Sequence, residues 1–417
     1  MTNFAHPLPR HQANRYTREQ FSEILAKKPL GWGAYKIDDW IPGKFIRLSR
    51  NPYYFRAVEE LPHFEKLVFR FFGGDEAATL KALQSKDCDL VDTEQGLKHL
   101  TLERLLDSDK RGWIKGIYST STSWEHLDFN IRPAESILNT GAFAGWDLDG
   151  DGQGPFGDIR LRQAIAMCLD RQKVVDDLFY GLSPVPNTYL PPDHPLYNPQ
   201  AVAWPYDPSS AAALLDQIGW IDTDNDPATP RLASSVTGVP DGTPLVMNYE
   251  TSQRAPRQQV FDILSKSLAT CGIQINLQTY SAVDFFKFGK DGKVYGRMFD
   301  LVEFAWLTNT IPPCDLVMGD ELSSAENDWS GLNVVGFLSP SYDAACNSQF
   351  QSLPGEAAYT QAALDAQQIF AEELPVVPLF LHLKYASAYH NLCGYVLNPT
   401  SSDFWAIESF SYNDACK

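Results

Sequence analysis

The sequence lacks the features that mark several large classes of protein. It has no apolar run of roughly 18 residues, so no segment is predicted to cross a membrane. It has no GxSxG, no P-loop motif, no GxGxxG directly after a predicted strand and no HExxH. The seven cysteines include no CxxC pair and no Cys/His cluster, which argues against a zinc site. These absences argue against an enzyme, although a catalytic set that only folding assembles would leave no motif.

Basic residues are also scarce relative to acidic ones. Lys and Arg number 34 against 52 Asp and Glu, which gives a net charge of −18. A chain this acidic is repelled by nucleic-acid phosphates and by anionic membranes, so we expect no nucleic-acid partner. The hydrophobic content of 44% is typical of a globular protein, and 417 residues suffice for two domains.

The most informative stretch runs from Pro155 to Gly181. Asp158 is placed to cap a helix, Asp170 to cap a second one, and Gly181 suits the end. Apolar residues between these positions keep a helical spacing, which predicts an amphipathic core helix without catalytic residues. These apolar residues are Leu161, Ile165, Leu169 and Val174.

Other segments predict a mixed α/β chain. Runs 34–38 and 44–49 flank a Pro-Gly turn, as in a hairpin. Segments 244–250, 253–270 and 273–280 predict a strand–helix–strand crossover in a parallel sheet. The Pro-rich stretch 184–199 predicts an irregular surface connection. Further strands are predicted at 66–72, 113–119, 125–130 and 299–305, and further helices at 17–26, 75–85, 208–218 and 355–373.

Four blocks of the sequence resemble, in order, the solute-binding proteins of ABC importers that carry peptides, nickel or oligosaccharides (bacterial extracellular solute-binding protein family 5). The resemblance lies in GWGAYKIDDW with RNPYY, in KDCDLVD, in PFGDIRLRQAIAMCLDRQKVVDDLFYG and in YDPSSAAALLDQIGW. It implies an α/β, periplasmic-binding-protein-like fold of type II, with two lobes and a ligand cleft. Residues 1–117 and 378–417 would form lobe one, and 118–377 lobe two.

The resemblance begins after the opening portion of the family, where Leu8, Pro9 and His11 stand as a remnant. We therefore expect the signal peptide and the small extra domain of the family to be absent. The implied function is extracytoplasmic, periplasmic or cell-surface capture of an oligopeptide- or oligosaccharide-sized solute. A monomer would close about a hinge and deliver the solute to an ABC permease. A glycan-active enzyme and a non-transporting sensor remain the alternatives.

The resemblance also implies ligand-binding residues. In the family the ligand lies near the loop after a strand that here ends at Trp306, so Trp306 is predicted to stack on a ligand and Tyr280 to line the site. The peptide-binding branch has W-x-x-D-y-x-x-P at this loop, whereas this chain has WLTNTIPP. Asn309 replaces the Asp that pairs with a ligand ammonium, which predicts a preference for uncharged, hydroxyl-rich ligands unless Asp315 restores the charge. Four other tryptophans are predicted to be core residues: Trp32, Trp113, Trp124 and Trp405.

The loop WDLDGDGQGPFGD predicts a structural calcium site. Calcium prefers six to eight oxygen ligands, and acids at positions 1, 3, 5 and 12 with Gly at 6 wrap such a loop around the ion. Against this, the twelfth residue is an Asp with a shorter reach than Glu and a second role as a helix cap. The predicted ligands are Asp147, Asp149, Asp151, Gln153 and Asp158, and a weaker run is Asp222, Asp224 and Asp226.

Export would allow disulfides among the seven cysteines. Spacing favours Cys314 with Cys346 and Cys393 with Cys416. The odd count leaves at least one free thiol, and Cys168, inside the predicted core helix, is expected to be a buried one.

Overall fold

The computed structural model describes residues 10–73, 75–92, 99–134, 152–226 and 228–413. The chain divides into two compact units. The first unit comprises Met1–Ser119 and Lys384–Lys417, and the second comprises Thr120–Leu383. No helix in the described ranges is both long and apolar enough to cross a membrane.

The first unit contains a small antiparallel sheet in the order β1-β2-β3. The Pro-Gly turn connects β1 to β2, with Gly43 at φ 72°, which confirms the predicted hairpin. Strand β4 pairs with the last residues of β11, from Ala386 to Ala388. The regular elements of this unit are α1 (Arg10–Ala13), α2 (Arg18–Lys27), β1 (Tyr35–Ile41), β2 (Phe45–Arg50), β3 (Lys66–Arg70), α3 (Glu76–Gln84), β4 (Leu90–Asp92), α4 (His99–Lys110), β12 (Leu392–Cys393) and β13 (Ser411–Tyr412), while β5 (Lys115–Phe129) and β11 (Val376–Ala388) continue into the second unit.

The second unit is built around a sheet in the order β11-β5-β10-β8-β9. Strand β8 is parallel to both β9 and β10, as the strand–helix–strand pattern predicts, and β10 is antiparallel to β5. Its other elements are α5 (Ile159–Cys168), α6 (Arg171–Phe179), α7 (Pro208–Gln217), β6 (Trp220–Ile221), β7 (Leu232–Ala233), β8 (Val246–Ser252), α8 (Ala255–Ala269), β9 (Gln274–Tyr280), α9 (Ala282–Phe285), β10 (Leu301–Leu307), α10 (Pro340–Gln351) and α11 (Ala357–Glu373).

The predicted core helix is confirmed as two helices, α5 and α6, with both predicted caps. Asp158 accepts a hydrogen bond from the amide of Arg160, and Asp170 accepts one from the amide of Lys173. Two buried arginines of this stretch bind main-chain carbonyls of distant segments. Arg162 donates to the carbonyl of Leu374 at 3.0 Å, and Arg171 donates to that of Pro378 at 2.8 Å. The arginines of the family signature therefore stabilise the second unit.

The prediction of two strands at 113–119 and 125–130 is wrong, because β5 is one continuous strand of 15 residues. The Ser/Thr-rich middle of this stretch contains no Gly, Pro or Asn that would favour a turn, and its threonines favour extended backbone. The Pro-rich stretch 184–199 is irregular, as predicted, but it does not lie wholly on the surface. Thr188, Tyr189 and Leu190 are buried within the second unit.

The cysteine predictions have mixed outcomes. The Cys314–Cys346 disulfide is confirmed. The prediction that Cys168 is a free thiol is wrong, because it forms a disulfide with Cys271, which is 103 residues away. Sequence spacing favours near neighbours, whereas α5 and the end of α8 meet only in the fold. The predicted partner of Cys393, Cys416, lies outside the described residues.

Of the four tryptophans predicted to be core residues, only Trp124 is buried, with 2% exposure. The prediction is wrong for Trp32, Trp113 and Trp405, which are 80%, 56% and 50% exposed. Two of them use their amphipathic rings at the surface. The guanidinium of Arg111 lies over the Trp113 ring at 5.1 Å, and Trp405 donates its indole N–H to the carbonyl of Val396.

Candidate functional site

The carboxyl ends of three parallel strands meet at one edge of the second unit's sheet. Strands β8, β9 and β10 end at Ser252, Tyr280 and Leu307, and because they are parallel their ends lie on the same side. Ligands of open α/β sheets bind outside this edge, where loops leave the strands. The candidate site is therefore this carboxyl edge with the loops that follow the strands.

Trp306 lies near the end of β10 and pairs in register with Trp124 of β5. Its ring is parallel to the buried imidazole of His126, with an interplanar angle of 7° and centroids 6.2 Å apart. Below it, Nδ1 of His126 lies 2.5 Å from Oδ1 of Asp128, whose pKa is raised by burial against the opposing effect of His126. Trp306 is partly buried while Trp124 is enclosed, so Trp306 is the member of the pair that can offer ring surface to a ligand.

Asn309 is exposed in the loop that follows β10, three residues after Trp306. The preceding residue, Thr308, is buried and fixes the start of this loop. Its amide donates to the carbonyl of Thr122 at 2.7 Å, and its hydroxyl donates to that of Tyr189 at 2.6 Å. The fold thus brings Trp306 and Asn309 together at the end of one strand.

Tyr280 ends strand β9, which is separated from β10 by β8. The strand spacing places their main chains roughly 10 Å apart at this edge. The ammonium group of Lys293 lies 5.1 Å above the Tyr280 ring and 3.2 Å from Oε1 of Glu250. Burial raises the pKa of Glu250 to about 7 despite Lys293. One face of Tyr280 is therefore occupied by a cation.

Arg254 is a residue that sequence reasoning missed. It is the N-cap of α8, two residues after the end of β8, and it is exposed. Within the described residues its guanidinium makes no hydrogen bond or ion pair. It therefore adds a free positive charge to the partial positive charge of a helix N-terminus at the carboxyl edge. The signal in the sequence is an arginine in the first turn of the predicted helix 253–270, which follows a predicted strand.

A buried ionic cluster supports the same edge from within the unit. Nε of Arg257, in the first turn of α8, donates to Oε1 of Glu125 at 2.6 Å. Nε2 of His382 lies 2.7 Å from Oε2 of Glu125, and Arg257 also donates to the Ser252 hydroxyl at 2.5 Å. The cluster ties the end of β8 and the start of α8 to strand β5. The signal in the sequence, a glutamate within a predicted strand, does not reveal which cations surround it.

The predicted calcium ligands are only partly covered by the described residues, since Asp147, Asp149 and Asp151 lie outside them. Gln153 is partly buried. Asp158 receives hydrogen bonds at its two carboxylate oxygens from the guanidinium of Arg160, at 2.9 and 2.6 Å, so a calcium ion would compete with this arginine. No group of three metal-ligating side chains occurs in the described part of the chain. Calcium at this loop stays a prediction.

The weaker acidic run forms local turns. Oδ1 of Asp222 accepts the amides of Asp224 and Asn225, and Oδ1 of Asp224 accepts the amide of Asp226. Thr229 also donates its hydroxyl to Asp224 at 2.8 Å. These contacts account for the acidic residues as turn-forming side chains.

Similar solved structures place this fold among the type II periplasmic-binding proteins. One of them is HbpA2 from Haemophilus parasuis, with a TM-score of 0.71 at 15% identity over 97% of this chain and 69% of that one. The chain belongs to the bacterial extracellular solute-binding proteins, family 5, whose middle-region model matches residues 1–326.

Curated relatives agree with this family. The chain is 21% identical over 95% of its length to the probable ABC transporter periplasmic-binding protein SapA of Escherichia coli. It is 28% identical over 92% of its length to the di/tripeptide-binding protein 2 of Pseudomonas aeruginosa. It spans 63% and 62% of these two relatives.

Proposed function

We propose that this protein is the solute-binding component of an ABC importer, which captures its solute outside the cytoplasm and delivers it to a membrane permease. Membership of the family supports this function, as does similarity to a probable ABC transporter periplasmic-binding protein and to a di/tripeptide-binding protein. The observation that carries it is the carboxyl edge, which combines an aromatic ring, an amide and a free cation. Stacking, hydrogen bonding and charge pairing at such an edge suit reversible binding of a small solute.

We propose that the solute is a short peptide whose carboxylate binds at Arg254. The free guanidinium and the N-terminus of α8 match an anionic group. Trp306 offers a face for an apolar side chain, and Asn309 offers a neutral hydrogen-bonding group. Because Asn309 carries no charge, the amino end of the peptide gains no ion pair there. An oligosaccharide is the second candidate, favoured by the same pairing of Trp306 with Asn309.

Calorimetry with trialanine, N-acetyl-trialanine, trialanine amide and maltotriose tests the proposal. We expect acetylation to leave the affinity within about threefold and amidation to weaken it about tenfold, because only the latter removes a charge-assisted contact. Arg254→Gln should abolish the difference between acid and amide. Lys266→Gln, at the other end of α8, removes an equal charge and should preserve it.

Other results of the same calorimetry would contradict the proposed peptide or favour an alternative function. Binding of maltotriose without binding of the peptides would replace the peptide with an oligosaccharide. Binding of trialanine that disappears on acetylation would contradict the role given to Asn309. Turnover of any of these probes would favour the alternative of an enzyme.

Hinge closure is the proposed mechanism of capture. A ligand shifts an equilibrium between open and closed states only by its differential affinity for them, so solute contacts made solely in the closed state would drive closure. Small-angle X-ray scattering should then show a smaller radius of gyration when the solute is saturating. An unchanged radius with bound solute would contradict closure.

A further inference from the structure

The buried side of helix α10 consists of Tyr342, Cys346 and Gln349, spaced i, i+4 and i+7 on one stripe. The remaining side chains of this helix are exposed or partly buried, including Phe350 at 52% exposure. Its sequence, PSYDAACNSQFQ, is largely polar. Apolar burial alone therefore does not explain why this helix is held in place.

All three buried residues of the stripe contact the end of the loop that follows β10. The Tyr342 hydroxyl donates to the carbonyl of Cys314 at 2.7 Å, and Nε2 of Gln349 donates to that of Pro312 at 3.0 Å. Cys346 forms the disulfide with Cys314. The three side chains are fully buried, so each lost hydrogen bond would leave an unsatisfied polar group.

The loop from 308 to 314 is thus fixed at both ends. At the start of the loop, Thr308 is hydrogen-bonded to Thr122 and Tyr189. At its end, the three buried residues of α10 bind Pro312 and Cys314. Between them, residues 309–311 are exposed. A loop with fixed ends and an exposed middle loses little conformational entropy when it binds a ligand.

We propose that the Cys314–Cys346 disulfide, supported by Tyr342 and Gln349, is a positioning device that holds loop 308–314 ready for the solute. This proposal rests on the proposed function, because that function makes loop 308–314 part of the binding site. The disulfide does not touch the solute. It acts by fixing Asn309 relative to Trp306, and its loss weakens binding because the solute must then order the loop.

The other disulfide of the second unit offers a matched control. Cys168–Cys271 joins the end of α5 to a residue three positions before β9, at the amino edge of the parallel strands. It closes 103 residues, against 32 for Cys314–Cys346. In the loop-entropy model the longer closure stabilises the fold more. Removing each disulfide in turn therefore distinguishes an effect on stability from an effect on binding.

The test compares Cys314→Ala/Cys346→Ala with Cys168→Ala/Cys271→Ala. We expect the first double variant to bind trialanine about tenfold more weakly and the second to bind within about twofold of the parent chain, because only the first loses preorganisation. The melting temperature should fall more in the second variant. Hydrogen exchange of the unliganded protein should accelerate over residues 308–318 in the first variant alone. Tyr342→Phe, which keeps the disulfide, should show a smaller change in the same direction.

Parent-like exchange over residues 308–318 in the first variant would overturn the proposal, and so would an equal loss of affinity in both double variants. If trialanine does not bind the parent chain, the proposed solute is wrong. The exchange measurement then still decides whether the disulfide holds the loop. Trialanine binding therefore tests the proposed solute, and hydrogen exchange tests the role of the disulfide separately.

Discussion

Nε2 of His382 lies 2.7 Å from Oε2 of Glu125, and this contact joins the neighbouring strands β11 and β5 inside the second unit. Glu125 is fully buried, and burial alone would raise its pKa. The hydrogen bond and charge of His382, together with Arg257, lower that pKa instead and keep the carboxylate ionised. On the adjacent strand, burial and the negative charge of Glu125 raise the pKa of Glu303 well above its ordinary value. The pKa values of these two buried glutamates are therefore shifted in opposite directions.

The same substitution should consequently destabilise the fold much more at Glu125 than at Glu303. Glu125→Gln removes the counter-charge of Arg257, which is 6% exposed, and should cost about 3–5 kcal/mol of unfolding free energy at pH 7. Burial and the charge of Glu125 favour the uncharged form of Glu303, so Glu303→Gln, which introduces a neutral group of the same shape, should cost less than about 1 kcal/mol. Urea unfolding at pH 7 measures both. Equal losses would show that Glu303 is ionised in the folded protein.

A second prediction concerns pH. The pKa of Glu250 is raised to about 7 in the folded protein, because the effect of burial is larger than the opposing effect of the Lys293 charge. A carboxyl with a raised folded pKa binds protons more tightly when folded, so its contribution is most favourable below the unfolded pKa and is lost as pH rises to about 7. Burial also raises the pKa of Asp300, to about 6, in the same sense. Unfolding free energy should therefore fall between pH 5 and pH 7.

Glu250→Gln should make this fall between pH 5 and pH 7 shallower by about 2 kcal/mol, at roughly 1.4 kcal/mol per pKa unit. Urea unfolding at half-unit steps from pH 5 to pH 8 measures the slope. Glu326→Gln, at an exposed position, controls for the change in net charge. An unchanged slope in Glu250→Gln would contradict the prediction.

The elements that the sequence predicts well are those with local signals. Asp158 and Asp170 cap the helices at the expected positions, and Gly43 forms the hairpin turn, because capping and turn geometry depend on a few neighbouring residues. The Cys168–Cys271 disulfide joins residues 103 apart, and no local pattern encodes that contact. The exposure of Trp32 likewise depends on which surfaces the fold leaves open.

The residues of the candidate site also fall into two groups, those that a local sequence motif reveals and those that only the fold brings together. Trp306 and Asn309 are neighbours in the chain, so one motif finds both of them. Arg254 and the Glu125 cluster come together only because parallel strands end at one edge and α8 begins there. Long-range pairing decides such contacts, and single-sequence periodicity does not contain it.

The third prediction concerns calcium at the loop from Asp147 to Asp158. Several carboxylates within twelve residues repel one another unless a cation screens them, and a bound ion stabilises the folded state by mass action. We expect the melting temperature to be higher in millimolar calcium than in excess chelator, and Asp149→Asn to abolish the difference. Because Arg160 already binds Asp158, Arg160→Gln should enlarge the difference. A melting temperature that is unmoved by calcium would remove the site.

The last prediction concerns the amino end of the solute. Asn309→Asp places a carboxylate where the peptide-binding pattern W-x-x-D-y-x-x-P has one. A charge-assisted hydrogen bond is roughly twice as strong as a neutral one, so free-amine trialanine should gain about tenfold in affinity over the parent chain. N-acetyl-trialanine should gain nothing. Asp315 is a poor natural substitute because burial raises its pKa and so disfavours its charged form.

Thr310→Asp, one residue further along the exposed loop, is the control for charge alone. Equal gains in Asn309→Asp and Thr310→Asp would mean that a general field attracts the ammonium group, and no gain in either would place the amino end of the solute away from this loop.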